Sequence, residues 1–468
     1  MVKSRIGSGA RRVVLLLLAV ALVGVVSTTA DAVTWKKDDS GNIALPTANA
    51  CPTFSTPPPF TTWFNIADME KRGYWDGKDP APWDYSKKLS QVICGAADGA
   101  RINIGMYFMR ALGTQKDNML GSRPETDPDL VYDALEWVHK NRKVSIGILL
   151  EGNKLRMTDT DKANMSKRLD GIATVRYCKG GCFNTNSSKV FPSAVNHEKF
   201  LSISDTIWAG DKGKPKRPAV LSLSGNFARS QLRWYHQEVS LIYDDKALAK
   251  QFDNRYADMA YCQKTKCSSG KGFVKASKLK KQRGIWVDPF YRHYTDAGRG
   301  TTVSFSPQPK TSPDFYIQQF DDVDCAVDKS VRIAMFKLTE SKAQRMADGL
   351  KRLKKRGCDI NLLLTADGGT TSISPKVVRI MKKSKVPFSC VGIATHTKMI
   401  LIGPARGNEG RALVGTTNMS TSGLRYNEDH VLTFDTRRAS ATYVESMRRL
   451  YSDYMTGWYE MSRDSGSC

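Results

Sequence analysis

The chain is poor in the groups that hold metals. It has six histidines in 468 residues, and its carboxylates form no cluster with ligand spacing; a structural zinc site asks for four Cys or His in short paired spacings. It is also poor in long apolar stretches. The run Val13 to Val26 has 14 residues, against roughly 20 for a bilayer-spanning helix, and no later stretch reads as transmembrane. Negative charge is the third shortage: 46 Asp and Glu stand against 71 Lys and Arg, for a formal net charge of +25. That imbalance points to polyanionic partners such as nucleic acid, an anionic membrane face or a phosphate-rich polymer, unless it only marks a solvated basic surface.

Lys3, Arg5, Arg11 and Arg12 precede the apolar run, and Ala30-Asp31-Ala32 follows it. A basic segment, an apolar segment and an A-x-A site make a secretory signal peptide cleaved after about Ala32. Residues 1–32 are therefore read as signal peptide and 33–59 as a polar N-terminal arm ending in Pro57-Pro58-Pro59. The 436 residues left carry a charge near +22 and suit two lobes better than one core. All ten cysteines lie in that part of the chain. Exported chains oxidise, so up to five disulfides are expected. Cys178 with Cys182 and Cys262 with Cys267 read as local loops; Cys51 ties down the arm, and the terminal Cys468 is bridged.

The chain repeats itself. Cys94 and Arg101-Ile102 recur as Cys325 and Arg332-Ile333, each Arg-Ile opening a strand-like run. A helical period follows in both, with Val131, Leu135 and Val138 against Met346, Leu350 and Leu353. Then come the strands Ser145–Leu150 and Ile360–Leu364, and Cys178 against Cys390. The offset between partners falls steadily from 231 to 192, so order is kept while loops shorten. A period near two hundred residues is a duplicated domain, and the strand–helix–strand alternation makes each copy an α/β lobe with a mixed sheet flanked by helices. Residues 60–263 are read as lobe 1, 264–300 as a basic linker dense in Lys and Gly, and 301–468 as lobe 2. Thr302–Phe305 opens the second lobe as a strand, and a helix over Ala439–Tyr454 closes it.

The repeat carries its chemistry in two places. Asn196-His197-Glu198-Lys199 heads one apolar run, and Leu223-Ser224-Gly225-Asn226 ends the next; the second copy reads Thr395-His396-Thr397-Lys398 and Gly415-Thr416-Thr417-Asn418. Residues two apart on a strand share a face. Each lobe thus sets His beside Lys and a hydroxyl beside Asn. A phosphodiester resists attack because its anionic oxygens repel nucleophiles. Its cleavage needs charge neutralisation, an in-line nucleophile and a proton for the leaving oxygen. One imidazole can attack while the other donates a proton, and the lysines and amides hold the oxygens. The set is complete only if the lobes meet face to face. The residues leave open which His attacks.

These motifs resemble the phospholipase D superfamily, whose mark is two His-x-Lys motifs each followed by a Gly-Ser-x-Asn-like segment. The resemblance covers about Thr61 to Tyr459 and is greatest to the secreted bacterial members. It implies a two-lobed α/β sandwich with the active site between the lobes, a covalent phosphohistidine and no cofactor or metal. It also implies His197 as nucleophile, His396 as general acid and then base, and phosphate held by Lys199, Lys398, Asn226 and Asn418 with help from Ser224 and Thr416. An acidic residue about ten positions past each Asn is filled by Glu238 and by Glu428 or Asp429; we take Glu428 with Glu238 and His236 into the substrate-binding set. Two departures stand out. The Asp often found seven residues after each His is Ser204 in lobe 1 and Gly403 in lobe 2, and the first Gly of the lobe 1 segment is Leu223.

The expected function is a secreted, monomeric phosphodiesterase of phospholipase D type acting on phospholipid, with an anionic membrane surface as a further contact. A secreted nuclease of the same fold, drawn by the charge near +22, is the alternative. A catalytically inactive polyanion-binding protein is the third reading.

Overall fold

The computed structural model describes residues 51, 56–65, 81–110, 127–152, 157–183, 194–208, 216–228, 236–265, 293–308, 314–365, 373–391, 395–405, 407–463 and 465–468. The expected signal peptide, most of the arm, Cys267 and residues 266–292 of the expected linker lie outside them.

Sixteen strands are described, β1 Phe60–Asn65, β2 Arg101–Met106, β3 Ser145–Glu151, β4 Ala173–Cys178, β5 Lys199–Thr206, β6 Arg217–Leu223, β7 Gln237–Tyr243, β8 His293–Asp296, β9 Arg299–Ser306, β10 Ser330–Met335, β11 Asp359–Thr365, β12 Phe388–Val391, β13 Lys398–Ile402, β14 Arg411–Gly415, β15 Asp429–Ala439 and β16 Ser465–Gly466. The helices are α1 Ala81–Cys94, α2 Asp127–Arg142, α3 Asp159–Arg168, α4 Lys246–Thr265, α5 Phe315–Asp321, α6 Glu340–Lys355, α7 Pro375–Ser384, α8 Thr421–Arg425 and α9 Ala441–Arg463.

The duplication is visible in the strand order. One sheet runs β1-β7-β6-β5-β2-β3-β4, the other β16-β12-β11-β10-β13-β14-β15-β9-β8. Reading each from its middle, β5 lies between β2 and β6 as β13 lies between β10 and β14. In both, the Arg-Ile strand pairs parallel with the next strand and antiparallel with the His-x-Lys strand. The match extends to β1 and β9, which cap β7 and β15 antiparallel. Lobe 2's sheet also takes in His293–Asp296, inside the expected 264–300 linker, because β8 forms a hairpin with β9. The closing helix runs past Tyr454 to Arg463.

Both sheets belong to one compact unit, Lys36–Cys468. Their central strands, such as β7, β10 and β13, are buried on both faces, which is why they read as largely apolar runs. On β5, Leu201 and Ile203 enter the outer core of lobe 1, while Phe200 enters a central core shared with Met399, Leu401 and Val414 of lobe 2. Helices α4 and α9 fill that centre, through Leu248 and Phe252 and through Tyr454 and Trp458. Helices α1 and α2 cover the outer face of the first sheet, α6 and α7 that of the second. Two duplicated α/β lobes, each a mixed sheet flanked by helices, are the expected fold class. Four disulfides are described, Cys51–Cys94, Cys178–Cys182, Cys325–Cys358 and Cys390–Cys468. Each of these joins cysteines of one lobe, or ties the arm or C-terminus to one. Among the described residues the lobes meet through packing and through the polar contacts described next.

Candidate active site

The two motifs meet across the boundary between the lobes. Asn196 bridges in parallel to Glu428, and His236 to Thr395. The His197 amide donates to the Glu428 carbonyl (2.9 Å), and the His396 amide to the His236 carbonyl (2.7 Å). A parallel bridge at 196 and 428 carries the register forward one step, and the His197 Nδ1 lies 2.6 Å from the Asp429 carboxylate. The same step on the other side sets Gln237 beside His396. There the Nδ1 donates to the Ser224 carbonyl of lobe 1 (2.5 Å). Each histidine is thus seated by the opposite lobe.

Each lysine folds back onto its own motif. Lys199 Nζ donates to the His197 carbonyl (2.7 Å), and Lys398 Nζ to that of His396 (2.5 Å). Aromatic rings line both pairs. Tyr107, after the end of β2, packs on His197 (5.0 Å between centroids) under Lys199; Phe336, after β10, packs on His396 (4.5 Å) under Lys398. This ring pair escaped the sequence reading, although Met106-Tyr107 and Met335-Phe336 end equivalent strands. Both lysines are fully buried, while His197 and His396 keep 7% and 4% exposure.

The electrostatics are those of a site waiting for an anion. Burial, opposed by Asp429 and Glu198, pushes Lys199 down to about 7. Burial first and Lys199 second hold Lys398 well below the ordinary lysine value. Burial, then Lys398 and Lys199, likewise hold His396 far below the usual imidazole value. Asp429 is raised by burial, against the pull of Lys199. Two lysines depressed chiefly by burial in a dry cleft are relieved by a bound anion. Orthovanadate should therefore raise the melting temperature, by an amount set by mass action. The rise should be larger at pH 6, where Lys199 is charged, than at pH 8, where it has titrated; scanning calorimetry at both values checks this.

The structure corrects part of the expected substrate-binding set. Glu428 does not face the cleft. Its carboxylate accepts from the Cys182 and Phe183 amides (3.0 and 2.9 Å), holding the Cys178–Cys182 loop, and burial raises it to about 8. Asp429, one residue on, reaches the histidine, because neighbouring strand residues point to opposite faces. His236 is fully buried, and its carbonyl accepts from the His396 amide. The Ser224 and Thr416 hydroxyls accept from the amides of Glu238 and His430 (both 2.9 Å), pinning β7 and β15. Glu238 is buried near Lys398 and raised chiefly by burial. Asn226 Oδ1 accepts from the Phe108 amide (3.4 Å), and the buried Asn418 Oδ1 has no hydrogen-bond partner among the described residues. Gly225 makes room for the Gln237 carboxamide, which a methyl group there would overlap; Thr417 fills the matching place in lobe 2. A cavity of about 630 Å³ lined by Arg101, Arg176, Tyr256 and Lys264 lies elsewhere, at the far end of β2 from Met106.

The two histidines have different surroundings. A carboxylate on Nδ1 fixes the proton there, leaves Nε2 with its lone pair and stabilises the cation formed when Nε2 is phosphorylated. Only His197 has one. His396 Nδ1 instead meets the Ser224 carbonyl and lies 2.8 Å from Lys398 Nζ, surroundings that suit proton transfer.

Residues 324–451 match the family described as cardiolipin synthase, PLD-like domain. No curated protein matches. Among solved structures, the chain is similar to phosphatidylserine synthase of Haemophilus influenzae Rd KW20 at 10% identity and TM-score 0.50, covering 83% of this chain and 86% of that one. It is similar to yeast tyrosyl-DNA phosphodiesterase at 10% identity and TM-score 0.46, covering 82% and 91%. It is also similar to polyphosphate kinase of Porphyromonas gingivalis at 11% identity and TM-score 0.46; the match covers 85% of this chain but spans about half of that protein, 47%.

Proposed function

We propose that this chain, a phospholipase D-superfamily protein with both lobes of the fold present, hydrolyses phosphodiesters through a phosphohistidine at His197. The observation that carries the reading is the pair of buried His-Lys motifs converging from two lobes with one carboxylate, Asp429, on one imidazole. His197 Nε2 attacks phosphorus. The bond to the leaving oxygen breaks, its electron pair stays on that oxygen, and His396, protonated at Nε2 once the bound anion offsets the two lysines, supplies the proton. Water then attacks phosphorus as His396 takes its proton back, and the P–N bond returns its electrons to His197. Lys199, Lys398 and the two Asn amides hold the non-bridging oxygens throughout.

The substrate in this reading is a phospholipid, cut to phosphatidate and a free head group. It is supported by the lipid-synthase description of the family matched over residues 324–451. A nuclease is the second reading, supported by the net charge of +25. Both motifs lie in one chain, so a single copy completes the site. Export agrees with the four described disulfides. Incubation with mixed phospholipid vesicles or with plasmid, each in EDTA, separates the readings. Head-group release without nicking supports the lipase, and nicking without release supports the nuclease. Inactivity on both and on bis(p-nitrophenyl) phosphate overturns the phosphodiesterase reading.

A further inference from the structure

Glu198 lies between His197 and Lys199 and so points to the other face of the strand, away from the chemistry. It is fully buried, yet it is bonded on both sides. Its carboxylate takes Arg255 Nε of α4 (2.8 Å) and His430 Nδ1 of β15 (2.6 Å). His430 follows Asp429 directly. The parallel register therefore sets two contacts side by side: His197 against Asp429 and Glu198 against His430, each pair 232 residues apart. His430 Nε2 also meets Ser222 Oγ of β6 (2.7 Å), and its ring packs on Phe252 and Phe305. Arg255 spans the boundary too, donating to the Ser306 carbonyl of β9 (2.5 Å) and lying over the rings of Phe183 and Phe305. Glu198, Arg255 and His430 are all fully buried. The pseudo-equivalent place in lobe 2 holds Thr397 and Glu238, with no cation from a neighbouring helix among the described contacts of that pair.

We propose that Arg255, Glu198 and His430 form an interlobe clamp that sets the seat of His197 against Asp429, making them positioning residues for the histidine that attacks phosphorus. Among the described residues the clamp is built on one side of the pseudo-dyad, the side of the attacking histidine. The Glu198 carboxylate is bonded through both oxygens, so breaking either bond leaves buried charge without its partner and lets the His197 and Asp429 strands slide. The inference rests on the phosphohistidine reading for its kinetic meaning, while its structural core stands apart from it.

The test uses the full mature chain and the variants Glu198→Gln, His430→Gln and their double, with Glu198→Asp and Arg255→Lys as conservative forms. Thermal unfolding sets the folded fraction. On bis(p-nitrophenyl) phosphate, each single variant should lose at least about tenfold in kcat while KM stays within about twofold. The double should be no worse than the poorer single, since the groups act as one unit. Proton NMR gives a readout that needs no turnover. The downfield Nδ1–H signal that vanishes in His197→Ala should shift or broaden in Glu198→Gln. An unmoved signal, or a kcat loss that only follows the folded fraction, overturns the clamp. A wild-type chain with no turnover but with a signal that responds to Glu198→Gln would count against the phosphodiesterase reading and leave the clamp supported.

Discussion

His197→Ala should abolish turnover, lowering kcat/KM at least about 10⁴-fold, because no other group can form the covalent intermediate. His396→Ala should also lose most activity, but in a way that depends on the leaving group. Proton donation contributes about 10²–10⁴-fold when the departing oxygen is a poor leaving group. A p-nitrophenolate needs no proton. With that ester the variant should release one equivalent of p-nitrophenol rapidly, then stall, because water has lost its general base. A burst of unit amplitude in His396→Ala and none in His197→Ala, with both variants folded by circular dichroism, is the expected pair of results. The reverse pairing would exchange the two roles, and a fully active His396→Ala protein would refute the two-histidine mechanism.

Asp429→Asn should cost about 10³–10⁴-fold in kcat, with little change in KM. The amide keeps the shape but presents no charge, so it neither holds the Nδ1 proton nor stabilises phosphohistidine. Its neighbour is the control. Glu428→Gln removes a carboxyl that burial raises from 4.5 to about 8. A raised carboxyl binds a proton in the folded state that the unfolded chain has released. It therefore favours the fold below the ordinary carboxylate range, and that contribution is lost as pH climbs through about 8. In Glu428→Gln this slope should disappear from thermal unfolding measured between pH 5 and 9, while the pH profile of kcat keeps its form. Steady-state kinetics beside calorimetry separates the neighbours: one substitution falls on rate, the other on stability.

That contrast also marks how far the residues could be read before the fold was known. The doubled lobe was legible because a strand buried on both faces is apolar without a break and because His-x-Lys and hydroxyl-x-Asn recur in order. The same alternation set Lys beside His, with Lys199 and Lys398 opening their strands and each His two residues before. Choosing between Glu428 and Asp429 was a different problem. It turns on the phase of β15 relative to the other lobe, which is set by the bridge of Asn196 to Glu428 and has no local signature. Glu198 and His430 were opaque for the same reason: their pairing spans 232 residues and exists only once the lobes pack. The hydroxyls of Ser224 and Thr416 sit in the expected segments, but adjacent strand amides bind them. Spacing locates such groups without saying which partner they meet.

The central claim is that both halves close over a single phosphodiester and that His197 takes the phosphoryl group. Rapid mixing with a substrate labelled at phosphorus, alkaline denaturation and peptide mapping measures this directly, because a phosphohistidine survives base and falls apart in acid. The account predicts label on the peptide containing His197, accumulating in His396→Ala and absent from His197→Ala. Label on His396, or rapid turnover in the wild-type chain with no covalent phosphorus at any time point, would contradict it.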